Sequence, residues 1–474
     1  MAGLVTAVST AKHSNQNLSI LVIDRNPKEE AGKKSASGWI CGDAVSKESL
    51  DLLASKVGIH YGRPETEHPV EGVIAFSPDH KSKVIFDGEG FVLNRKLLPQ
   101  RQVRDAERLG VEFQFDASAE AILTKDEFVT GVYCRSTKDN STFKKSAKLV
   151  VDATGSASRL RTSLPIKSNI EKEIDKENDM ETTGRYILTF ELGKEDNTFF
   201  DPRYCIIHLD QEIAPGGYAW VFPKGENKVN IGLGVQKRLL QSRNKRLGKK
   251  DSLQSLIDEY VHRNPVIRNW KLADGPEDKG NQRGNWQVPV RRQNDCLVAN
   301  GYIIVGDSAW MSRPIDAGGI GPTIRASVIA GSVIAEALEA NDISERGLWK
   351  FNKEYVQTYG YRMASSEILR RFLQTLSNED LNYGMKHFLD EDDVESITRR
   401  ENPEFKQVSL VNPKKILWAL PRPSLARGLR YTAAKSRKLI QHYLNYPDSP
   451  EGFLEWHRRF TSELREAYTR LSRI

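Results

Sequence analysis

Gly306 and Asp307 close the apolar run Gly301-Tyr302-Ile303-Ile304-Val305, and the stretch Gly306 to Gly321, GDSAWMSRPIDAGGIG, then enters an apolar helix predicted over residues 322–338. A β-branched strand that ends in Gly-Asp and re-enters a helix through glycines turns backbone N–H groups toward one point, where the helix N-terminus favours an anion. An ordinary strand-turn-helix crossover explains the same residues, because a lone glycine-rich loop is a weak signal. Two further segments repeat the pattern. Lys148-Leu-Val-Val-Asp-Ala-Thr-Gly155, followed by Ser158 and Arg159, is a second strand ending in a small-residue turn. Leu18-Ser-Ile-Leu-Val-Ile-Asp24-Arg25 ends in an acid where a nucleotide-binding βαβ unit uses a carboxylate for ribose hydroxyls.

A second kind of chemistry is suggested by Gly216-Gly217-Tyr218-Ala219-Trp220-Val221-Phe222-Pro223-Lys224-Gly225. In a strand of period two, Tyr218, Trp220 and Phe222 project to one face, and Ala219 and Val221 to the other. Three aromatics on one face make a long apolar wall, suited to an apolar ligand or to sheet core. Cys41, in Cys41-Gly42-Asp43-Ala44, is a candidate proton donor, gate or spacer. A buried thiol is also commonly just a small hydrophobe.

The elements that must position these residues fall into three regions. Residues 1–60, 91–165 and 291–340 alternate helix and strand and form a nucleotide-type unit. Residues 61–90 and 166–290 carry apolar/polar alternation, as in 185–192 and 228–235, and form an antiparallel sheet that interrupts it. Residues 341–474 read as helical, with Leu369, Phe372, Leu373 and Leu376 at helix spacing. The charged stretch 171–181 reads as a solvated loop between regions. An apolar helix over residues 4–12 feeds the Leu18 strand. Gly3 would be the last glycine of a G-x-G-x-x-G turn whose preceding strand is not in the sequence, so the chain reads as N-terminally truncated by about a dozen residues.

Hydrophobic residues make up 39% of the chain and mean hydropathy is −0.53, with no apolar run near the ~20 residues that span a bilayer. Cys41, Cys134, Cys205 and Cys296 are scattered without C-x-x-C spacing, which speaks against a cysteine-ligated metal and for a reducing, cytoplasmic compartment. Net charge is +7, with pI near 9.0. Arg422, Arg427, Arg430, Lys435, Arg437 and Lys438 lie within a basic 418–440 stretch beside Trp418, Leu425, Leu429, Tyr431, Leu439 and Ile440. That pattern suits a helix lying on anionic headgroups at the inner membrane surface, an acidic electron carrier, or a solvated face of a packed helix. No nucleic-acid partner is indicated.

In their order along the chain, the Asp24, Asp152 and Asp307 segments resemble the FAD-binding elements of the glutathione-reductase-like flavoproteins. The Y-x-W-x-F-P-K run together with Cys41-Gly42-Asp43-Ala44 resembles the geranylgeranyl reductase family, flavoenzymes that saturate isoprenoid chains. The resemblance implies a mixed α/β fold: a doubly wound FAD domain, interrupted by an antiparallel-sheet substrate domain, with a helical C-terminal region. It implies FAD contacts from Ala2, Gly3, Asp24, Arg25, Cys41, Gly42, Ala44, Arg95, Ala119, Asp307, Gly318, Gly319 and Ile320. Prenyl contacts are implied for Tyr218, Trp220, Phe222 and Pro314, and a chemical role for Cys41. The chain departs from the family pattern at three places. Ala44 replaces the second glycine of Cys-Gly-x-Gly. Asp316-Ala317-Gly318-Gly319-Ile320 stands for T-G-G-G-I, adding a carboxylate that would shift the cofactor's potential. Asn94-Arg95-Lys96-Leu97-Leu98-Pro99 keeps the arginine of R-x-x-x-D and loses the acid.

The implied activity is hydride transfer from reduced FAD to C=C bonds of geranylgeranyl chains on archaeal-type ether lipid precursors. Reductant would come from ferredoxin or from a nicotinamide or deazaflavin carrier. A flavin monooxygenase or halogenase shares the Gly-Asp and Asp-Ala-Thr-Gly elements, but the halogenase lysine in W-x-W-x-I context is absent. A non-catalytic prenyl-lipid carrier is the alternative that follows from the truncated N-terminus.

Overall fold

The computed structural model describes residues 1–31, 41–276, 278–389 and 420–471. Two parallel fragments form the nucleotide-type region. β1 (Leu21–Ile23) pairs with β5 (Glu112–Gln114), and β9 (Val150–Asp152) pairs with β17 (Tyr302–Ile304), which also forms a hairpin with β16 (Val298–Ala299). Among the described residues no strand joins the two fragments. A separate antiparallel sheet, β6 (Ala117–Lys125), β7 (Phe128–Ser136) and β8 (Thr142–Ser146), packs beside them.

The large sheet runs β14 (Ile267–Leu272), β10 (Met180–Leu192), β13 (Lys228–Val235), β12 (Ala219–Pro223), β11 (Tyr204–His208), β3 (His68–Phe76), β4 (Lys83–Val92) and β2 (Ala44–Ser46), with β15 (Arg283–Pro289) also on β10. β2 thus joins this sheet from within residues 1–60, where sequence reading places the nucleotide region. Alternation gives the sheet two different faces. Tyr186, Leu188, Phe190, Ala219, Val221, Ile231 and Leu233 form one buried cluster with Leu256 and Ile257 of helix 253–263. The opposite face carries Tyr218, Trp220 and Phe222, with Trp220 and Phe222 packed on Val70, Val92 and Cys205. The Trp220 ring has room because its cross-strand neighbour is Gly232, whose Cβ would stand 2.6 Å from the indole and 2.2 Å from the Gly184 carbonyl.

Helices α1 (Ala2–His13) and α2 (Lys47–Val57) pack against α3, the long helix Ile320–Glu339. Small residues bring α1 and α3 into backbone contact. A Cβ on Gly331 would lie 2.3 Å from Ser9 Oγ, and that hydroxyl donates to the Val328 carbonyl at 3.0 Å. Beyond α3 the described residues form the helices α4 (Glu345–Tyr355), α5 (Tyr361–Leu373), α6 (Asn378–His387), α7 (Pro423–Leu444) and α8 (Phe453–Leu471).

Two sequence expectations are narrowed. The stretch 171–181 is a solvated loop only in its middle, where Glu173, Asp175, Lys176 and Glu177 are exposed, and its ends are tied into the molecule. Glu171 bonds Arg291 and Arg292, Asp179 accepts from Arg370 and Arg371, and Glu181 is a buried residue of β10. Its charges read as solvated because their cationic partners lie about 120 to 190 residues away in sequence. The basic stretch forms the partly solvated face of a packed helix, one of the three expected readings, with Arg427, Arg430 and Lys438 exposed. α7 buries Leu425, Leu439 and Ile440 in the main core, Lys435 and Lys438 pair with Glu463 of α8, and Arg422 pairs with Asp380. Its apolar face is therefore not free to lie on a membrane through this stretch. Trp418 lies outside the described residues. No described helix is long and apolar enough to cross a membrane.

Candidate active site

The turn at the end of β9 is built by its acid. Asp152 is fully buried and accepts from Thr154 N, Thr154 Oγ1, Ser158 Oγ and Tyr302 Oη, so this motif acid fastens strand ends to each other. Gly306 takes φ +68°, and a Cβ there would meet the Cβ of Ala2 at 2.7 Å. Gly3 approaches Ala153 closely, at 3.3 Å for its notional Cβ. The starts of α1 and α3 therefore converge on Asp307. Neither helix start has a side-chain cap, and neither first turn holds an acid, so their leading N–H groups and positive dipole ends are available to an anion. In α3 the first turn includes Pro322, whose missing N–H costs nothing there.

Asp307 is half-buried between these helix starts, with Gly319 beside it at 3.6 Å for its notional Cβ. Burial pushes its carboxyl above the usual range, and the Arg95 guanidinium pulls in the opposite direction. Arg95 in turn donates from Nη1 to Cys41 Sγ at 3.7 Å. Asn94 Oδ1 accepts from the N–H groups of Lys96 and Leu97 at 3.1 and 3.0 Å, where the chain enters helix 97–108.

Cys41 is half-buried, and burial pushes its thiol up against the pull of Arg95. Its sulfur accepts the Asp43 N–H at 3.2 Å, and its carbonyl accepts from Asn230 Nδ2 at 3.0 Å. Gly42 is pressed against the Phe222 ring, where a Cβ would come within 2.8 Å. Asp43 adopts φ +71°, a conformation aspartate tolerates. Ala44 opens β2 in register with Val92, and an extended backbone suits alanine as well as glycine.

Beneath this turn lies a buried polar network. Asn230 is fully buried, donates to Asp43 Oδ2 at 2.8 Å and accepts from Trp220 Nε1 at 3.0 Å. Lys224 Nζ lies 2.8 Å from Glu67 and 3.5 Å from Asp43, and donates to the Leu93 carbonyl at 2.8 Å. Arg185 is fully buried beside Trp220 and donates to Asn281. Sequence reading assigned no role to Asn230, Lys224, Asp43 or Arg185. The available signal was polar residues at the same-face positions of apolar strands, with Arg185 and Asn230 inside runs otherwise fit for core.

The aromatic face meets the glycine loop at one bond: Tyr218 Oη donates to the Asp316 carbonyl at 2.5 Å. A cleft opens there, lined by Tyr218, Glu181, Pro314, Ala317, Leu373 and Leu381. Tyr218 is half-buried at this cleft, whereas Trp220 and Phe222 are 5% and 7% exposed in the cluster behind it. The added carboxylate of Asp316 is neutralised locally. Arg313 lies 2.6 Å from it, and Gly318 N donates to it at 2.9 Å, so it presents no uncompensated charge to a ligand. The glycine replaced by Ala317 is a real loss, since Ala317 is held at φ +53°.

Of the expected cofactor residues, Ala2, Gly3, Cys41, Gly42, Arg95, Asp307, Gly318, Gly319 and Ile320 gather around the α1 and α3 starts. Asp24 and Arg25 are exposed at the end of β1, and Asp24 accepts from Asn26 N at 2.8 Å. The Asp24 carbonyl accepts from Ala117 N at 3.0 Å, and Ala119, two residues further along β6, packs against the main core rather than the helix starts.

Residues 179–271, from β10 through β14, match the geranylgeranyl reductase catalytic domain model. The chain is 35% identical over 97% of its length, and 95% of the relative's, to a digeranylgeranylglycerophospholipid reductase of Sulfolobus acidocaldarius. Similarity to the Methanothrix thermoacetophila protein of that name is 28% over 80% of this chain and 88% of the relative. In fold, the chain superposes on a geranylgeranyl bacteriochlorophyll reductase-like protein of Thermoplasma acidophilum with TM-score 0.68, at 23% identity over 91% of this chain and 96% of that one. The halogenase CndH shares the fold at TM-score 0.61 and 14% identity over 91% and 94% of the two chains. The cofactor-type cradle, the aromatic sheet face and the near full-length identity agree: the chain belongs to the digeranylgeranylglycerophospholipid reductase family.

Proposed function

We infer that this protein is an FAD-dependent oxidoreductase that saturates the C=C bonds of geranylgeranyl chains, acting on digeranylgeranylglycerophospholipid-type ether lipid precursors. The observation that carries the reading is the Tyr218–Asp316 bond, which sets an apolar aromatic face directly against the glycine loop beside Asp307. The residues fit FAD. Uncapped starts of α1 and α3 suit the pyrophosphate, Asp307 suits ribityl hydroxyls, and Arg95 adds a phosphate-compatible cation next to Cys41. Bound there, FAD supplies a hydride when reduced.

The chain's own part is to hold the alkene and keep water out. The cleft of Tyr218, Pro314, Ala317, Leu373 and Leu381 has room for a short portion of the prenyl chain at the reacting double bond, with each buried CH₂ contributing about 0.8 kcal/mol. Trp220, Phe222 and the Asn230 network fix the wall from behind. Cys41, raised by burial and engaged by Arg95 and Asp43 N–H, acts as a spacer at the turn. For the electron donor, exposed Arg427 and Arg430 on α7 favour an acidic carrier of the ferredoxin type. The test is anaerobic incubation of the dithionite-reduced protein with digeranylgeranylglycerophospholipid, followed by mass spectrometry. Products heavier by successive additions of H₂ support the assignment. Unchanged lipid in the presence of bound, reducible flavin overturns it.

A further inference from the structure

Glu181 is the second residue of β10, opposite Val288 of β15, on the sheet face that carries Tyr218. It is 5% exposed and lines the cleft with Tyr218, Pro314 and Ala317. Two glycines make room for its carboxyl: a Cβ on Gly217 or on Gly234 would stand 3.3 or 3.2 Å from Glu181 Oε2. The groups that face it are spoken for elsewhere. Gln374 Nε2 donates to the Gly216 carbonyl at 2.6 Å and reaches Glu181 Oε1 only at 3.5 Å. Arg370, the cation facing it from α5, is committed to Asp179 at 2.9 Å, to the Asn178 carbonyl at 2.7 Å and to Gln374 Oε1 at 3.0 Å. Tyr218 gives its proton to the Asp316 carbonyl. Asp179, two residues earlier, shows the contrast, since it holds both Arg370 and Arg371.

Saturating an isolated alkene by hydride needs a proton delivered to the other carbon, and the donor must sit in the cleft with a proton it can release and recover. Tyr218 is held well above its ordinary pKa by burial, and its hydroxyl is engaged in the loop contact. Cys41 is engaged by Arg95 and the Asp43 N–H. We propose that Glu181 is the proton donor of the alkene reduction, a catalytic residue acting on the carbon that does not receive the hydride. The Glu181 O–H bond breaks as the new C–H bond forms from the alkene π pair, and the hydride supplies the other C–H bond. The alkene gains two electrons from the reduced flavin and Glu181 is left as carboxylate, to be reprotonated from water. The step rests on the reductase reading above. Burial pushes the Glu181 carboxyl up to about 7, with Arg370 as the smaller opposing influence, so about half of it carries its proton at neutral pH and most of it at lower pH.

Glu181→Gln keeps the shape and removes the transferable proton, and Glu181→Asp keeps an acid on a shorter arm. The first readout requires no turnover: infrared difference titration of the wild-type holoprotein should show a protonated carboxyl band that disappears around pH 7 and is missing in Glu181→Gln. In anaerobic single turnover with digeranylgeranylglycerophospholipid, reoxidation of the reduced flavin should be constant at low pH and fall as pH rises through about 7 in the wild type. Glu181→Gln should bind flavin and lipid normally yet react on the order of 10²–10⁴-fold more slowly and without that pH dependence. Glu181→Asp should recover part of the rate and its pH dependence, and it carries the test if the glutamine variant does not fold. A wild-type rate in Glu181→Gln, a flat wild-type profile, or an ionised Glu181 at about pH 5 overturns the proposal. The reductase reading fails separately, if the wild type leaves the lipid unsaturated while the infrared band titrates as described.

Discussion

Replacing Trp220 by phenylalanine asks whether the aromatic strand is packed core behind the cleft or an open wall of a prenyl tunnel. The indole lies across Gly232, 5% exposed, and its N–H donates to Asn230 Oδ1 at 3.0 Å. Asn230 is fully buried and holds both the Cys41 carbonyl and Asp43 Oδ2. Phenylalanine leaves that acceptor unsatisfied, which costs about 1–3 kcal/mol. The volume vacated by the smaller ring, at ~24 cal/mol per Å³, adds about 1 kcal/mol. A loss of about 2–4 kcal/mol is expected in equilibrium urea unfolding of the flavin-loaded protein. Maleimide labelling of Cys41 should accelerate, because the amide that pins its carbonyl is loosened. A stability change under about 0.5 kcal/mol with unchanged labelling would refute the packing argument and restore the open-wall reading.

Other substitutions test separate parts of the site. Asp307→Asn should weaken FAD about 10- to 100-fold by equilibrium dialysis, the loss of a charge-assisted hydrogen bond of about 1.5–3 kcal/mol; unchanged affinity would make Asp307 a turn residue only. Ala317→Gly should raise the unfolding midpoint by the equivalent of about 1 kcal/mol, because a left-handed alanine at φ +53° is relieved. His457, which contacts Asp295 at 3.3 Å, is raised to about 9 by its carboxylate partners despite burial, so its bond is fully present below about 6.5 and lost as pH rises through about 9. His457→Gln should therefore cost about 3 kcal/mol at pH 6 and progressively less as pH rises from about 6.5 to 9, with little left above pH 9, read by urea unfolding at each pH.

The parts of the molecule legible in the sequence were those set by local pattern. Strand-ending Gly-Asp turns, the α3 helix and the two-faced β12 strand follow from backbone periodicity and turn chemistry, and all three form where those rules put them. Much of what stayed hidden depends on partners distant in sequence. Residues 171–181 look like a solvated charge run because nothing nearby announces Arg291, Arg370 or Arg371. The 418–440 stretch has the composition of a surface-lying helix, yet α7 spends its apolar side on the core and meets Glu463 from α8. Asp316 looked like an added charge beside the cofactor site until Arg313, three residues earlier, proved to neutralise it. Glu181 was overlooked for the same reason as its neighbours: burial, not sequence, makes a glutamate unusual.

The most direct test of the central claim is a single anaerobic turnover in which flavin oxidation and lipid saturation are counted together. The purified protein is reduced, excess reductant is removed, and digeranylgeranylglycerophospholipid is added in limiting amount while the flavin absorbance is followed and the lipid is analysed by mass spectrometry. One flavin should be reoxidised for each double bond saturated. Reoxidation without hydrogen gained by the lipid, or lipid left unsaturated beside persistently reduced flavin, would contradict it.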